Sequence, residues 1–548
     1  MKSEKKVQFK ELLPAAALLA AIGFLLFVYA PIELLMANGY EFCYTVYDIF
    51  KYMLPVFLGF ILLGFAVSFV ICRISKKIYG VFLVLLFAGL WALYVQGTFF
   101  ASNLPALDGR KIIWSDFSYQ RWISLGILII SLGIAFLLWK KGLIGKISNI
   151  IGFGLLGMLV ITSLMLIIQT GSYDPVSPVV HTAIGEMDLS DDENFIVFLV
   201  DAVDEEAFEY LLDAHPEYKD EFEDFTSFSN VTSGYPYTSR SIPFMLSGQW
   251  FENEQEFGDY FNSIVHSSSL FKALQKENYR MGFYDPEFFY VSDLPDVFEN
   301  VVTGFNLKYP DKFVKMQIKM AGYRYFPFDL KRFCYLSPED VYIDTYVENT
   351  DFDAPKYSMD NDEFYADLKS RDVNVVSDKC FRYLYIRGAH EPFKYPSQSS
   401  AVEDNTYLSS VEYGMEIVGE YLNKLKEAGV YDNSVIIILA DHGYVEDDVP
   451  FGRQNPFMLI KGRNEKHEFT VNDAPVSHED LTEAYSRLLD GTDSFSLFDY
   501  KEDDSRSRRF LFFEYMKEDK MTEYYQNGHA DDESTMVASG REYNFAEN

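Results

Sequence analysis

Four places in this chain of 548 residues combine side chains that could do chemistry together. The stretch Tyr237-Thr238-Ser239-Arg240-Ser241-Ile242-Pro243-Phe244-Met245-Leu246-Ser247-Gly248 sets small hydroxyl residues ahead of an apolar, helix-compatible run that closes on Gly. Such a helix start leaves backbone N–H groups without intrahelical partners, and those groups favour an anion. A Thr at that point becomes a nucleophile once its hydroxyl pKa is lowered, and a metal ion is the usual agent. Read alone, the stretch is first of all an ordinary capped helix with a buried apolar face. Three other places change that reading. Asp201 closes the run Asn194–Val200, Asp441-His442-Gly443 follows Val435–Ala440, and His390 follows Tyr383–Arg387 in Gly388-Ala389-His390-Glu391-Pro392-Phe393.

Together, Asp201, Asp441, His442 and the Thr238 oxygen would offer one divalent metal a set of O and N ligands, suited to Mn or Zn rather than Mg or Ca. The metal would hold Thr238 as an alkoxide and polarise a phosphoryl oxygen. His390, across the site, would bind a phosphate oxygen or protonate a leaving group. Each item taken singly has a plainer reading. An Asp at a strand end is usually a turn or cap residue, and a His before Glu-Pro-Phe is usually a loop residue. Asp-His-Gly after a strand is more specific, and the order of all four on successive strands makes the joint signal stronger.

These residues need a scaffold. Asn194–Val200 is a short, continuous apolar run of the kind found in a strand buried on both faces. Later strand-like runs are Met281–Tyr284, Tyr383–Arg387, Val435–Ala440 and Phe457–Ile460. Helical patterns alternate with them at Asp204–Leu212, Ser269–Glu277, Glu363–Lys369, Leu408–Ala428 and His478–Leu489. The alternation predicts an α/β domain with a mostly parallel central sheet, whose ligands bind beyond the carboxyl ends of the strands. Asp201 and Asp441-His442 stand at such ends. Residues 301–360 break the alternation and read as an insertion over one side of the site. The strand Arg509–Tyr515 and a tail with turn signals at Asn527-Gly528 and Ser539-Gly540 complete the chain.

The first third is different. Apolar segments at Leu12–Ala30, Met53–Cys72, Ile78–Val95, Ile123–Trp139 and Ile150–Ile168 each approach the ~20 residues a membrane-spanning helix needs. Lys2, Lys5, Lys6, Lys10, Arg73, Lys76, Lys77, Lys140, Lys141 and Lys146 flank them on one side; Lys51, Arg110, Lys111 and Arg121 are all that the other side holds. The positive-inside rule places the N-terminus in the cytoplasm, and five crossings put the rest outside. The expected organisation is a five-helix transmembrane domain at 1–170, a Pro- and Gly-containing linker at 171–193, an extracytoplasmic catalytic domain at 194–500 and a small β-rich piece at 501–548.

Charge follows the same division. Residues 1–170 hold 14 Lys+Arg and 7 Asp+Glu, a net of +7, and the remainder holds 33 and 74, a net of −41. An acidic outer part excludes a nucleic-acid partner, because phosphate contacts need clustered basic residues. It also makes a metal useful, since an anionic substrate would otherwise be repelled. The four cysteines, Cys43, Cys72, Cys334 and Cys380, show no CxxC spacing; a Cys334–Cys380 disulfide is open on sequence grounds.

At Asn194–Asp201, Thr238–Gly248, His390–Pro396 and Ser434–Gly443 the chain resembles the alkaline phosphatase superfamily in its sulfatase-like branch. Its overall plan is most similar to lipoteichoic acid synthases and lipid A phosphoethanolamine transferases, which also join five membrane helices to an outward catalytic domain. The resemblance implies metal ligation by Asp201, Thr238, Asp441 and His442, and a substrate or proton-transfer role for His390. Sulfatases carry Cys or Ser at the nucleophile position; Thr238 stands there, which disfavours sulfatase activity. The two transferase families have Glu where Asp201 stands, and the synthases have a His soon after the strand matching Met281–Tyr284, where Asp285 stands here. Asp285, Arg240, Lys394 and Arg453 are the remaining candidates for substrate contacts. Ser477-His478-Glu479-Asp480 resembles a sulfatase-family segment but reads better as a capping box. The implied activity is transfer of a phosphoglycerol- or phosphoethanolamine-type group from a membrane phospholipid donor to a cell-surface glycan or lipid acceptor through phospho-Thr238. Hydrolysis of a phosphodiester or phosphomonoester by the same residues is the alternative.

Overall fold

A computed structural model describes residues 8–544 apart from 38–41, 43, 102–103, 106, 108–111, 171–178, 256, 289–290, 304–305, 308, 337–345, 348–356, 401, 446–450 and 516. Lys2, Lys5, Lys6, Cys43, Arg110, Lys111 and residues 171–178 of the expected linker therefore lie outside the described residues. The chain divides into two compact units, Met1–Ser177 with Phe305–Asn349, and Pro178–Gly304 with Thr350–Asn548.

The first unit holds five helices long and apolar enough to cross a membrane: Phe9–Ala37, Val46–Ile74, Lys76–Phe99, Ser118–Lys140 and Ile144–Gln169. Their centres are the five apolar segments read from the sequence. Much of their apolar surface faces outward, with Leu62 at 72% and Ile168 at 70% exposure. In water such a surface would be an aggregation patch; against lipid it is solvated. Part of the expected catalytic insertion also belongs to this unit. Helix Pro310–Tyr325 packs on the spans, with Ala321 and Tyr325 in one buried cluster with Leu25, Ala30 and Leu159. Glu33 accepts hydrogen bonds from Tyr325 Oη at 2.6 Å and Arg324 Nη2 at 2.8 Å. Only a glycine fits beneath the Tyr325 ring: a Cβ on Gly97 would fall 2.0 Å from its Cδ1. The insertion is thus built into the membrane unit, because its buried face (Phe313, Met316, Met320) is as apolar as the helices it covers.

The second unit is built on a seven-stranded sheet. Its strands are β1 (Asn194–Val200), β2 (Thr226–Phe228), β3 (Arg280–Tyr284), β4 (Cys380–Ile386), β5 (Ser434–Leu439), β6 (Met458–Lys461) and β7 (Thr470–Asn472), in the order β7-β2-β6-β5-β1-β4-β3. β5, β1, β4 and β3 are parallel, and β6 runs antiparallel to both β5 and β2. The sheet is mixed and mostly parallel, as the alternation predicts.

The continuous apolar runs have a simple cause. In β1, Phe195, Val197 and Leu199 belong to the core on one face, and Ile196, Phe198 and Val200 to the core on the other. Both faces are covered by helices, so every side chain of the strand is buried. At ~1.5–3 kcal/mol for each large apolar side chain removed from water, these central strands dominate the stability of the unit. In-register pairing then sets the site. Leu199 lies opposite Leu439 on one side and Tyr385 on the other. Two residues further along each chain, Asp201 and Asp441 emerge side by side.

Two expectations are corrected. Val179–His181 and Asp188–Ser190, expected in a linker, are strands paired with Val301–Thr303 and Asn374–Val376. Ser539-Gly540, expected in a turn, lies within strand Met536–Asn544, where the register shifts and Gly540 takes a positive φ of 83°. Cys334 and Cys380 are each buried, in different units, as free thiols.

Candidate active site

The Thr238 helix (Thr238–Ser247) is amphipathic in a useful sense. Ile242, Met245 and Leu246 recur at helical spacing and enter the core beneath the sheet, while Phe244 packs with Tyr235 in a neighbouring cluster. Tyr237 caps it in an extended conformation, and Gly248 ends it with a left-handed φ of 68°. The helix is tied to the sheet by one buried bond, in which Ser241 Oγ donates to the Asp441 carbonyl at 2.6 Å. Thr238 is consequently held over the end of β5, buried to 9% exposure.

Near its hydroxyl lie three side chains able to ligate a metal. Asp201, Asp441 and His442 each offer one ligand atom within 4.8 Å of the others, and all three residues are buried. His442 Nδ1 lies 2.7 Å from the Gly443 carbonyl. A carbonyl only accepts, so Nδ1 carries the proton and Nε2 presents a lone pair. That lone pair faces Asp441 Oδ2 at 3.3 Å, Asp201 Oδ1 at 3.8 Å and Thr238 Oγ1 at 3.4 Å. Asp201 Oδ1 and Asp441 Oδ2 have no hydrogen-bond partner among the described residues. Two carboxylate oxygens and an imidazole lone pair converging out of water repel one another unless a cation lies between them. The donor set therefore fits a divalent metal ion.

The electrostatics agree. Burial, then the charges of Asp441 and Glu287, push the Asp201 carboxyl well above the usual carboxylate range. Burial also holds the His442 imidazole below its ordinary value, so a proton on Nε2 is a poor substitute for a metal. One contact opposes the trend at Asp201: Tyr385 Oη donates to Oδ2 at 2.5 Å and favours the ionised form. The other Asp oxygens are equally directed, with Asp441 Oδ1 accepting from Ala202 N at 3.3 Å. Ala202 itself has a positive φ of 58°, a strained conformation for a residue with a Cβ. Tyr407 Oη holds that turn by donating to the Ala202 carbonyl at 3.0 Å and accepting from Asp204 N at 2.7 Å.

His390 is placed by the loop after β4. Ala389 N donates to the Asp201 carbonyl at 3.0 Å, and Asn361 brackets Gly388 with two side-chain hydrogen bonds. A Cβ on Gly388 would meet Val200 Cγ1 at 2.6 Å, and its φ of 56° suits only glycine well. His390 Nδ1 donates to the Glu391 carbonyl at 2.5 Å, which leaves Nε2 for an incoming group. The side chain reaches the surface, yet the surrounding protein mass and the Arg387 charge hold its pKa down, to about 4. The hydrogen bond from Ala389 to the Asp201 carbonyl keeps its loop beside the strand end that carries Asp201.

The other candidates divide. Arg453 stands close: its guanidinium lies 4.9 Å from the Tyr237 ring, its Nη2 donates to the Val445 carbonyl, and its charge lowers the His442 pKa. Asp285 is fully buried near Asp441, with Oδ1 accepting from Glu287 N and its carboxyl pushed well up by burial. A buried acid that accepts a backbone N–H serves the turn after β3 first. Arg240 is 6% exposed, and its guanidinium lies over the rings of Phe251, Phe257 and Phe513, at 4.7, 3.7 and 6.0 Å. The cause is helical geometry, which turns position 240 toward the aromatic cluster beside the C-terminal sheet. Lys394 is an exposed residue on the loop beyond His390.

Sequence reasoning missed four residues here. Tyr385 reads as core in an apolar run and carries no distinguishing signal; Ser241 stands within the Thr238–Gly248 likeness, which gives it no role of its own. Glu287 is held up to about 7 by burial and then by the Asp441 charge. His478 is the instructive case. The capping box is present, with Asp480 Oδ2 accepting from Ser477 N at 2.8 Å. The same segment nevertheless buries His478 completely, with both ring nitrogens unpartnered among the described residues, near Asp441 and His442. The Ser-His-Glu-Asp likeness was the signal that could have found it.

With this geometry in place, comparison with known proteins is informative. A family model described as Sulfatase matches residues 193–492, more than half of the chain. A stretch of 112 residues is 29% identical to lipoteichoic acid synthase of Staphylococcus aureus (strain USA300), covering 19% of this chain. The match spans 17% of that relative's own length. Among solved structures, lipoteichoic acid synthase LtaP from Listeria monocytogenes aligns over 63% of this chain and 84% of its own at 13% identity, with a TM-score of 0.36. Ps i-CgsB in complex with k-i-k-neocarrahexaose aligns over 62% and 82% at 16% identity, with a TM-score of 0.39.

Proposed function

The chain belongs to the sulfatase family, and from that membership we propose that it is a membrane-bound, metal-dependent phosphotransferase. It moves a phosphoglycerol- or phosphoethanolamine-type group from a membrane phospholipid to a cell-surface glycan or lipid, with its N-terminus in the cytoplasm and its catalytic unit outside. The observation that carries this reading is the nucleophile position. Thr238, rather than the Cys or Ser of a sulfatase, heads the helix with its hydroxyl 3.4 Å from His442 Nε2. The five apolar helices and the stretch shared with a lipoteichoic acid synthase support a lipid donor.

Asp201, Asp441, His442 and Thr238 would hold the divalent metal, which when bound lowers the Thr hydroxyl pKa and screens phosphoryl charge. The chain's own residues then act in two displacements. Thr238 Oγ1, having lost its proton to solvent, attacks the donor phosphorus as the P–O bond to diacylglycerol breaks. The approaching phosphodiester supplies the negative charge that lets His390 Nε2 take up a proton, and that proton goes to the diacylglycerol oxygen. The acceptor hydroxyl then attacks phospho-Thr238, gives its proton to His390 and releases Oγ1. First-turn N–H groups of the Thr238 helix face the equatorial oxygens in both steps.

Mass spectrometry of Thr238 after incubation with vesicles of phosphatidylglycerol or phosphatidylethanolamine tests this directly. A donor-derived mass on Thr238, absent in Thr238→Ala, is expected. Undiminished group transfer by a folded Thr238→Ala protein would remove the core of the reading. Product formed equally with and without acceptor would turn it toward a hydrolase.

A further inference from the structure

The charge of the insertion is out of keeping with its surroundings. Beyond residue 170 the chain has a net charge of −41, yet residues 305–336 carry seven Lys+Arg against two Asp+Glu. This segment belongs to the membrane unit. It rests on the ends of the spans: Tyr44 and Tyr52 at the start of the second hold Phe313, and Gly97 at the end of the third receives Tyr325. At the start of the fourth, Ser124 Oγ accepts from Phe328 N at 3.0 Å and Arg121 pairs with Asp329 at 2.7 Å. Glu33, near the end of the first, binds Arg324 and Tyr325. All are ends that the flanking charge assigns to one side of the membrane, the side otherwise poor in Lys and Arg.

The helix Pro310–Tyr325 is two-faced. Phe313, Met316, Gln317 and Met320 are buried, while Lys312, Lys315 and Lys319, at i, i+3 and i+7, line one flank; Lys315 is exposed, Lys312 is half-buried over the Tyr309 ring, and half-buried Lys319 donates to the Tyr335 carbonyl at 3.1 Å. Beyond it, Arg332 is exposed beside Phe333 at 67% and Leu330 at 47% exposure. Basic side chains interleaved with large apolar ones at the end of a helical bundle match the interfacial layer of a membrane, where rings sit among acyl chains and cations meet headgroup phosphates.

We propose that residues 310–333 form a basic interfacial collar that binds anionic phospholipid headgroups of the membrane the helices span. The occupant follows from charge complementarity: a neutral lipid would contact Leu330 and Phe333 but would not complement the excess of Lys and Arg around exposed Lys315 and Arg332, and a protein partner would need no apolar residues at the level of the span ends. This inference does not depend on the transfer reaction.

The test uses the full chain reconstituted in phosphatidylcholine bilayers with a trace of spin-labelled lipid. The association of labelled phosphatidylglycerol relative to labelled phosphatidylcholine is read from the motionally restricted fraction. The intact protein is expected to prefer the anionic lipid, with salt weakening the preference. The combined variant Lys312→Gln, Lys315→Gln, Lys319→Gln and Arg332→Gln is expected to lose most of it, on the order of five-fold for each basic side chain that meets the surface. Lys140→Gln with Lys141→Gln, on the opposite side, controls for general charge. An unchanged preference in the collar variant, or an equal loss in the control, would overturn the proposal. Circular dichroism and retained association of phosphatidylcholine distinguish loss of binding from loss of fold.

Discussion

Tyr385→Phe isolates the contact that opposes burial at Asp201. The substitution keeps the ring, so the core cluster around Phe381 and Tyr383 is left without a cavity. It removes only the hydroxyl that donates to Asp201 Oδ2 at 2.5 Å, in a place where neither residue meets solvent. A hydrogen bond to a charged group is worth about 1.5–3 kcal/mol. Loss of an outer-shell partner to a ligating carboxylate typically costs about 10–100-fold in metal affinity, or about 1.4–2.7 kcal/mol. The two routes agree. The sign of the pH effect also follows. Burial holds the Asp201 carboxyl high and Tyr385 holds it down, so removing the hydroxyl raises it further. Ligation needs the ionised form, so the pH at which metal binding is half lost moves upward in the variant. Calorimetric titration of Mn or Zn into the metal-stripped full chain, at several pH values between 6 and 8.5, measures both quantities. The variant should bind about 10–100-fold more weakly, with the gap widest at the acid end. Equal affinity at every pH would refute the assignment of Asp201 to the metal.

Three further expectations follow from the same geometry. Metal-free protein should lose thermal stability as pH rises from 6.5 to 8: Glu186, Asp204 and Glu287 are each raised to about 7 by burial, so the folded state holds protons there that the unfolded state has released. Differential scanning calorimetry in chelator checks this, and a Tm that climbs through that window contradicts it. Ser241→Ala frees the buried Asp441 carbonyl and should cost about 1–3 kcal/mol, seen as a lower denaturation midpoint together with reduced turnover, since the same bond seats Thr238 over the strand end. His478→Leu should leave the metal-free Tm unchanged or raise it, because it replaces a fully buried imidazole with no partner among the described residues, yet it should weaken metal-dependent turnover; full activity in that variant would make His478 a passive core residue.

What could be read from the residues depended on whether the signal was local. β1 and β5 announced themselves because both faces are buried, which makes five or six consecutive apolar residues a direct consequence of the fold. Asp201 and Asp441-His442 were legible for the same reason: a charge that ends such a run stands at the carboxyl edge of a parallel sheet, where neighbouring strands are in register. The five spans were legible from composition alone. What was not legible concerns partners far apart in sequence. Arg240 sits beside Ser241 in the chain, but a helix turns adjacent positions about 100° apart, so one reaches Asp441 and the other the Phe251 and Phe257 rings. The insertion at 301–360 breaks the α/β alternation and so reads as a cover over the site; the apolar face of helix Pro310–Tyr325 instead matches the span ends, a match visible only once Gly97 and Tyr325 meet. His478 was hidden by a true capping box, whose presence explained the segment without using the ring. A motif that satisfies one physical role does not exhaust its residues: the cap fixes the backbone of Ser477 and Asp480, and that fixed backbone is what carries an otherwise costly imidazole into the core beside Asp441 and His442. A buried polar ring held there without a hydrogen-bond partner is retained against a cost of about 1–3 kcal/mol, which is the physical reason to assign it to the site rather than to the helix end.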